Sequence, residues 1–365
     1  MTVDVFWHAD VLAHDTGAGV FEAAASPLMA VDEPHPEGPV RVRNMKAVLE
    51  RGPLAERVRW HAGRHATRAE LELVHDPAYV DEVRRLADAG GGRVTATTVA
   101  SERTFDACAA AAGTAVAALE AVLDGEAELA YALVRPPGHH AAPAQADGYC
   151  FFNSAAIAAE AARRRGVERV AIVDWDVHHG NGTQACFYDR ADVLTVSLHM
   201  AHGAWGPSHP QTGGPDEVGE GPGLGANVNV DLPLGTGDAG YLAAAERVVG
   251  PELERFDPQL VIIAAGQDAA QFDPNGRQSV SMAGFRGLGA HARGWGERHA
   301  GGRLVVVQEG GYAPSYAAWC LHATLEGMLG LEPLLDEPLA YLPDEPDRAD
   351  AAIERTLAAL RRARG

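Results

Sequence analysis

Polar residues of the kinds used in catalysis stand just after apolar runs in this 365-residue chain. After AYALV (130 to 134) comes RPPGHHA, with His139 and His140 adjacent; after RVAIV comes DWDVHHGNG, with Asp174, Asp176, His178 and Asn181. LVIIAAG (260 to 266) leads to Gln267 and Asp268, and LVVVQ to Glu309, Gly310, Gly311 and Tyr312. In extended chain, residues two apart point to the same side, so Asp176 and His178 can grip one ion, with Asp268 from another strand end as third ligand. Two carboxylates and an imidazole at about 2.0 to 2.2 Å leave a coordination position open, as a catalytic Zn²⁺ requires; Fe²⁺ and Mn²⁺ accept the same donors. Such an ion activates water and polarises a carbonyl, which suits hydrolysis of an amide or ester. His139 and His140 would move protons, with Asp174 and Asn181 as candidates to fix their tautomers, and Tyr312 would donate to the developing oxyanion. A lone Asp or His at a strand end is usually a satisfied structural group, and it is the joint arrangement that argues for a site.

These residues converge only if the apolar runs are parallel strands, because ligands bind beyond the carboxyl ends of such a sheet. The runs at 130 to 134, 169 to 175, 193 to 199, 260 to 266 and 304 to 311 are apolar on both faces, as buried parallel strands are. Ala-rich amphipathic stretches at 105 to 125, 154 to 166 and 241 to 256 are expected to be crossover helices. No Ser/Gly- or Pro-rich linker divides the chain, so we expect one α/β domain over 1 to 365 with helices on both faces of the sheet. The Gly-, Pro- and His-rich segment from Met200 to Leu224 is placed at the mouth of the site. A C-terminal helix at about 347 to 363 is expected to serve packing or formation of a homo-oligomer.

Composition narrows the function. The chain is 47% apolar and 22% charged, and its formal charge of -20 repels nucleic acid phosphate. The four cysteines, Cys108, Cys150, Cys186 and Cys320, have no paired spacing, so neither a thiolate zinc site nor a disulfide framework is suggested and a reducing cytoplasm fits. No run of 18 apolar residues and no basic and apolar leader is present, so no membrane partner is expected. Lys46 is the only lysine, a skew toward arginine that points to a GC-rich, bacterial genome.

Taken together, these strings resemble the zinc-dependent histone deacetylase family, including bacterial deacetylase-like amidohydrolases and acetylpolyamine amidohydrolases. The resemblance runs in order through His35-Pro-Glu37, LVHDPAYV at 73 to 80, RPPGHHA, GYCFFNSAAIAA at 148 to 159, DWDVHHGNGTQ, VSLH, GGPDEVGEGPGLGANVNV at 213 to 230, the Asp268 segment and QEGGY. It covers most of Val31 to Gly330, and DWDVHHGNGTQ and CFFN are similar to the class II branch. It implies an open arginase-deacetylase fold around an eight-stranded, mostly parallel sheet. It places Asp176, His178 and Asp268 on the zinc ligands, His140 as general base, His139 with Asp174 behind it as charge stabiliser, and Tyr312 as the transition-state tyrosine. Asn181 stands behind His140 where many relatives have Asp. The resemblance also implies a structural K⁺ held by Asp174, the main chain around Asp176 and His178, Ser197 and Leu198. His179 is expected to point away from the ion, and His61 and His65 to be solvated helix positions.

By the same resemblance the substrate's alkyl chain threads a tunnel, with Gly148 and Tyr149 on one wall, Trp205 or Gly206 opposite, and Asn275 and Gly310 along it. Asn275 occupies the position where a polyamine-selective branch carries Glu, so selectivity by that device is not expected. Acetyl-lysine proteins, acetylpolyamines and small N-acyl amides remain as substrates. Two other readings are weaker. An arginase-like binuclear enzyme lacks carboxylates where Gly180 and Ala270 stand, and an acyl-lysine-binding scaffold without catalysis does not need Tyr312 and a full ligand set.

Overall fold

A computed structural model describes residues 1–201, 212–338 and 346–364. Its frame is one sheet of eight strands: β1 (Val3–Trp7), β2 (Val58–Ala62), β3 (Leu129–Ala132), β4 (Val170–Asp174), β5 (Val193–Met200), β6 (Asn227–Leu232), β7 (Leu260–Ala265) and β8 (Leu304–Gln308). Their order across the sheet is β6-β5-β4-β7-β8-β3-β1-β2, and every neighbouring pair is parallel. All the carboxyl ends therefore open on one rim, with β4, β7 and β8 at its centre.

Side-chain alternation gives the sheet two cores. Ala171, Val173, Val261, Ile263, Leu304 and Val306 pack on one side with the helices Val40–Arg51, Met282–His299 and Pro314–Met328. Val170, Ile172, Leu260, Ile262, Val305 and Val307 pack on the other against Thr104–Leu123 and Ser154–Arg164. Strands covered on both faces must be apolar throughout, which is why the five central runs stand out in the sequence. The three strands the apolar runs do not reveal lie at the margins. β2, with β1 inside it, forms one edge, where Arg59, His61 and Ala62 are exposed, and β6 forms the other with Asn227 and Asn229 alternating with valines.

Two helix expectations are borne out within two residues, at Thr104–Leu123 and Ser154–Arg164. Thr104–Leu123 is long and apolar enough to cross a bilayer by length and composition, yet 72% of its apolar window is buried inside the protein. The third stretch is not one helix: Asp238–Ala244 passes into a π-helical turn at Ala245–Val249 and then into Gly250–Phe256. Pro251 has no N–H to donate a turn back, so the regular ladder cannot run through it. The C-terminal helix spans Pro346–Arg364 and packs on β6 and on the helix Asp238–Ala244.

Candidate active site

Three adjacent strand ends build the centre. β4 stops at Asp174 and the chain continues through Asp176 to His178, Asp268 follows β7, and Gly310 follows β8. One donor atom each from Asp176, His178 and Asp268 lies within 4.8 Å of the other two, and all three residues are buried. His178 Nδ1 is 3.0 Å from Asp176 Oδ1 and 3.2 Å from Asp268 Oδ2. Backbone donors fix the carboxylates: His178 N–H (2.9 Å) and Gly310 N–H (2.8 Å) to Asp176, and Val177 N–H (2.9 Å) to Asp268 Oδ1. Asp268 Oδ2 is left buried without a hydrogen bond, and a Cβ on Gly310 would collide with it and with Asp176 Oδ2. An orphaned carboxylate oxygen, a second carboxylate and an imidazole nitrogen around one point, kept clear by a glycine, fit a divalent ion of the zinc type. The electrostatics agree. Burial, reinforced by Asp176, pushes Asp268 up to about 6, and the two carboxylates outweigh burial to push His178 up to about 9.

The tandem histidines sit side by side, ring centroids 4.0 Å apart, in opposite electrostatic settings. His139 Nδ1 is 2.8 Å from Asp174 Oδ2 and its Nε2 is 3.6 Å from Asp176 Oδ1. Burial opposes its charge, but Asp176 and Asp174 outweigh it and hold the imidazole well above the ordinary histidine range. His140 Nδ1 meets Asn181 Oδ1 at 2.5 Å; burial, then the neighbouring His139 and His178, hold it well below that range. One ring is thus kept cationic and the next neutral.

Tyr312 is buried, its ring 6.5 Å from that of His178 and edge-on to Tyr149 at 5.5 Å. Burial and Asp176 push its phenol well above the usual tyrosine range, so it remains a proton donor. Tyr149 has a positive φ of 71° and forms the rim: its hydroxyl donates to Glu22 and accepts from Asn275 Nδ2 at 2.9 Å. Gly148 also has a positive φ, 49°, and a Cβ there would strike the His140 ring. Gly310 lies beneath the donor cluster, where its backbone holds Asp176. Trp205 and Gly206, expected on the opposite wall, lie outside the described residues. Ser197 faces Asp174 in the β4–β5 register with Leu198 next to it.

His179 and His199, outside the centre, have partners of their own. His179 turns away to Thr212 and Gln184, and His199 lies between Ser197 and Gly213. The helix placement of His61 and His65 is corrected: His61 is in β2 beside Asp4, and His65 is in the following loop beside Asp10, because the VRWHA segment pairs as an edge strand. Cys150 is buried near His139 and Glu309, where burial pushes its thiol well up, and no cysteine is in a disulfide.

Several positioning residues escape a reading of strand-end motifs. Glu309 Oε2 accepts Gly138 N–H (2.6 Å) and His139 N–H (3.2 Å), pinning the histidine turn to the end of β8. Asp273 accepts the N–H of Tyr312 (2.6 Å) with one oxygen and that of Asn275 (2.9 Å) with the other. Arg41, buried with Glu37, places its guanidinium 5.2 Å over the Tyr312 ring. The DPNG turn at Asp273 and the Glu37–Arg41 pair are local; the contacts of Glu309 with the histidine turn and of Arg41 and Asp273 with Tyr312 join residues distant in sequence.

A family model for the histone deacetylase domain matches residues 35–328. The chain belongs to the histone deacetylase family. It is 51% identical over 357 residues to histone deacetylase 8 of Arabidopsis thaliana, covering 96% of this chain and 94% of that one. It is 45% identical over 306 residues to a histone deacetylase-like amidohydrolase of Pseudomonas aeruginosa, covering 84% and 80%. Among solved structures, the crystal structure of the HDA15 HD domain superposes with a TM-score of 0.85 at 34% identity, over 98% of this chain and 94% of that one. The chain is therefore a hydrolase of the deacetylase and amidohydrolase kind on a single-domain α/β fold.

Proposed function

We propose that this deacetylase-family protein is a zinc-dependent amidohydrolase that removes an acetyl or other acyl group from a primary amine: acetyl-lysine, an acetylpolyamine or a small amide. The observation that carries the reading is the convergence of three buried donors, a cationic and a neutral histidine, and a protonated phenol at one set of strand ends. Asp176, His178 and Asp268 would hold the ion, which when bound polarises the amide carbonyl and activates water. Neutral His140 takes the proton from the attacking water, with its ring oriented by Asn181. Cationic His139, paired with Asp174, stabilises negative charge and returns a proton to the leaving amine. The Tyr312 hydroxyl donates to the oxyanion, and Arg41 and Asp273 fix the tyrosine ring and backbone. A K⁺ at Asp174, Ser197 and the adjoining main chain would brace the same strand ends.

The test is amine release by the Zn²⁺-loaded protein across acetyl-lysine peptides, acetylspermidine, acetylputrescine and small aromatic amides. Rapid turnover of one class that collapses in Tyr312→Phe is the expected result. A Tyr312→Phe protein as active as wild type would refute the assigned mechanism.

A further inference from the structure

At the β1–β2 edge of the sheet, a second set of metal-binding side chains converges outside the centre. His8 follows β1, Asp10 sits in the short turn Ala9–Leu12, and His65 lies in the loop after β2. β1 and β2 run in parallel with Trp7 opposite Ala62, so the chain leaves both at the same end of the sheet. One donor atom from each of the three residues lies within 4.8 Å of the other two. Asp10 Oδ2 is 2.8 Å from His65 Nε2 and 4.0 Å from His8 Nδ1, and the two rings are 4.7 Å apart, tilted by 49°. Asp10 N–H donates to His8 Nδ1 at 3.2 Å, so that nitrogen is unprotonated and a metal ion would take over the lone pair that now caps the turn. Arg103 approaches the other oxygen of Asp10 at 3.7 Å and is closer to Asp106, at 3.2 Å. Among the described residues, the ion pairs of Asp10 Oδ2 are those with the two imidazoles.

We propose that His8, Asp10 and His65 form a second, surface site for a divalent transition metal. Two imidazoles with one carboxylate select Zn²⁺, Ni²⁺, Co²⁺ or Cu²⁺ over Mg²⁺ or Ca²⁺, which want oxygen donors throughout. The side chains are 29%, 30% and 44% exposed, so water completes the coordination and the site exchanges its ion more readily than the buried cluster. β1 lies three strands from β7 and four from β4, which at the usual strand spacing is about 15 to 20 Å. That separation makes it a site of its own and not an extension of the centre.

Equilibrium dialysis against buffered Zn²⁺, followed by elemental mass spectrometry, tests this without reference to hydrolysis. Wild type is expected to bind two Zn²⁺ per chain, and His8→Ala/His65→Ala one, with the circular dichroism spectrum of the folded protein retained in zinc-free buffer. Asp10→Asn, which keeps the shape of the side chain, is expected to weaken the second equivalent by at least about tenfold. Asp268→Ala should lose the other equivalent, so failure of the buried site and failure of the edge site read out separately. A second equivalent that persists in the double variant, or its absence from wild type, overturns the proposal.

Discussion

The buried donor cluster and the rim above it are built by different means. At the centre, Asp176, His178 and Asp268 follow adjacent strands whose register is fixed by the ladder, and backbone N–H groups hold both carboxylates. At the rim, Tyr149 takes a positive φ and is held by Glu22 and Asn275, residues 127 and 126 positions away. Every element that places a donor at the centre is buried in the sheet, whereas Glu22 is half-buried in a loop flanked by exposed Phe21, Leu28 and Met29. The centre is thus preorganised for one chemistry, and the rim can change its occupant without disturbing it.

Substitutions separate the two regions by the size and kind of their effect. Asp268→Ala removes a ligand and is expected to lower kcat by at least about a thousandfold with loss of the buried metal ion, measured by turnover and metal content together. Tyr312→Phe deletes one donor to the oxyanion and is expected to cost about 10²- to 10³-fold in kcat with KM little changed. Asn181→Asp acts through charge. A carboxylate facing His140 Nδ1 raises that imidazole's pKa, and since the base must be neutral to work, the acidic limb of the pH–rate profile moves to higher pH. An unaltered limb would separate Asn181 from the base. Glu22→Gln is the mildest: it keeps the contact to Tyr149 and removes the charge, so KM for a cationic amide should rise by about two- to fivefold with kcat unchanged, as for a partly exposed ion pair. A large fall in kcat for this variant would erase the distinction between centre and rim.

The same division governs what could be read from the sequence. Central strands covered on both faces are apolar throughout, so the polar residues that end them are conspicuous, and strand-end position and spacing point to Asp174, Asp176, His178, Asp268 and Tyr312. The edge strands β2 and β6, and the short β1 beside β2 with Asp4 in it, carry polar residues, so no apolar run marks them. Resemblance brought Tyr149 to the tunnel wall but not Glu22 to its hydroxyl, because that contact joins two loops with no local pattern. Nothing in QEGGY marks the role of Glu309; its hold on the histidine turn exists only where the ends of β8 and β3 lie side by side.

The most direct test of the central claim is to titrate metal-free protein with Zn²⁺ while following amine release. Activity is predicted to rise linearly and saturate at one equivalent per chain, and to be absent at every zinc level in Asp268→Ala. Full turnover by the metal-free protein, or an Asp268→Ala titration that overlays wild type, would contradict the account.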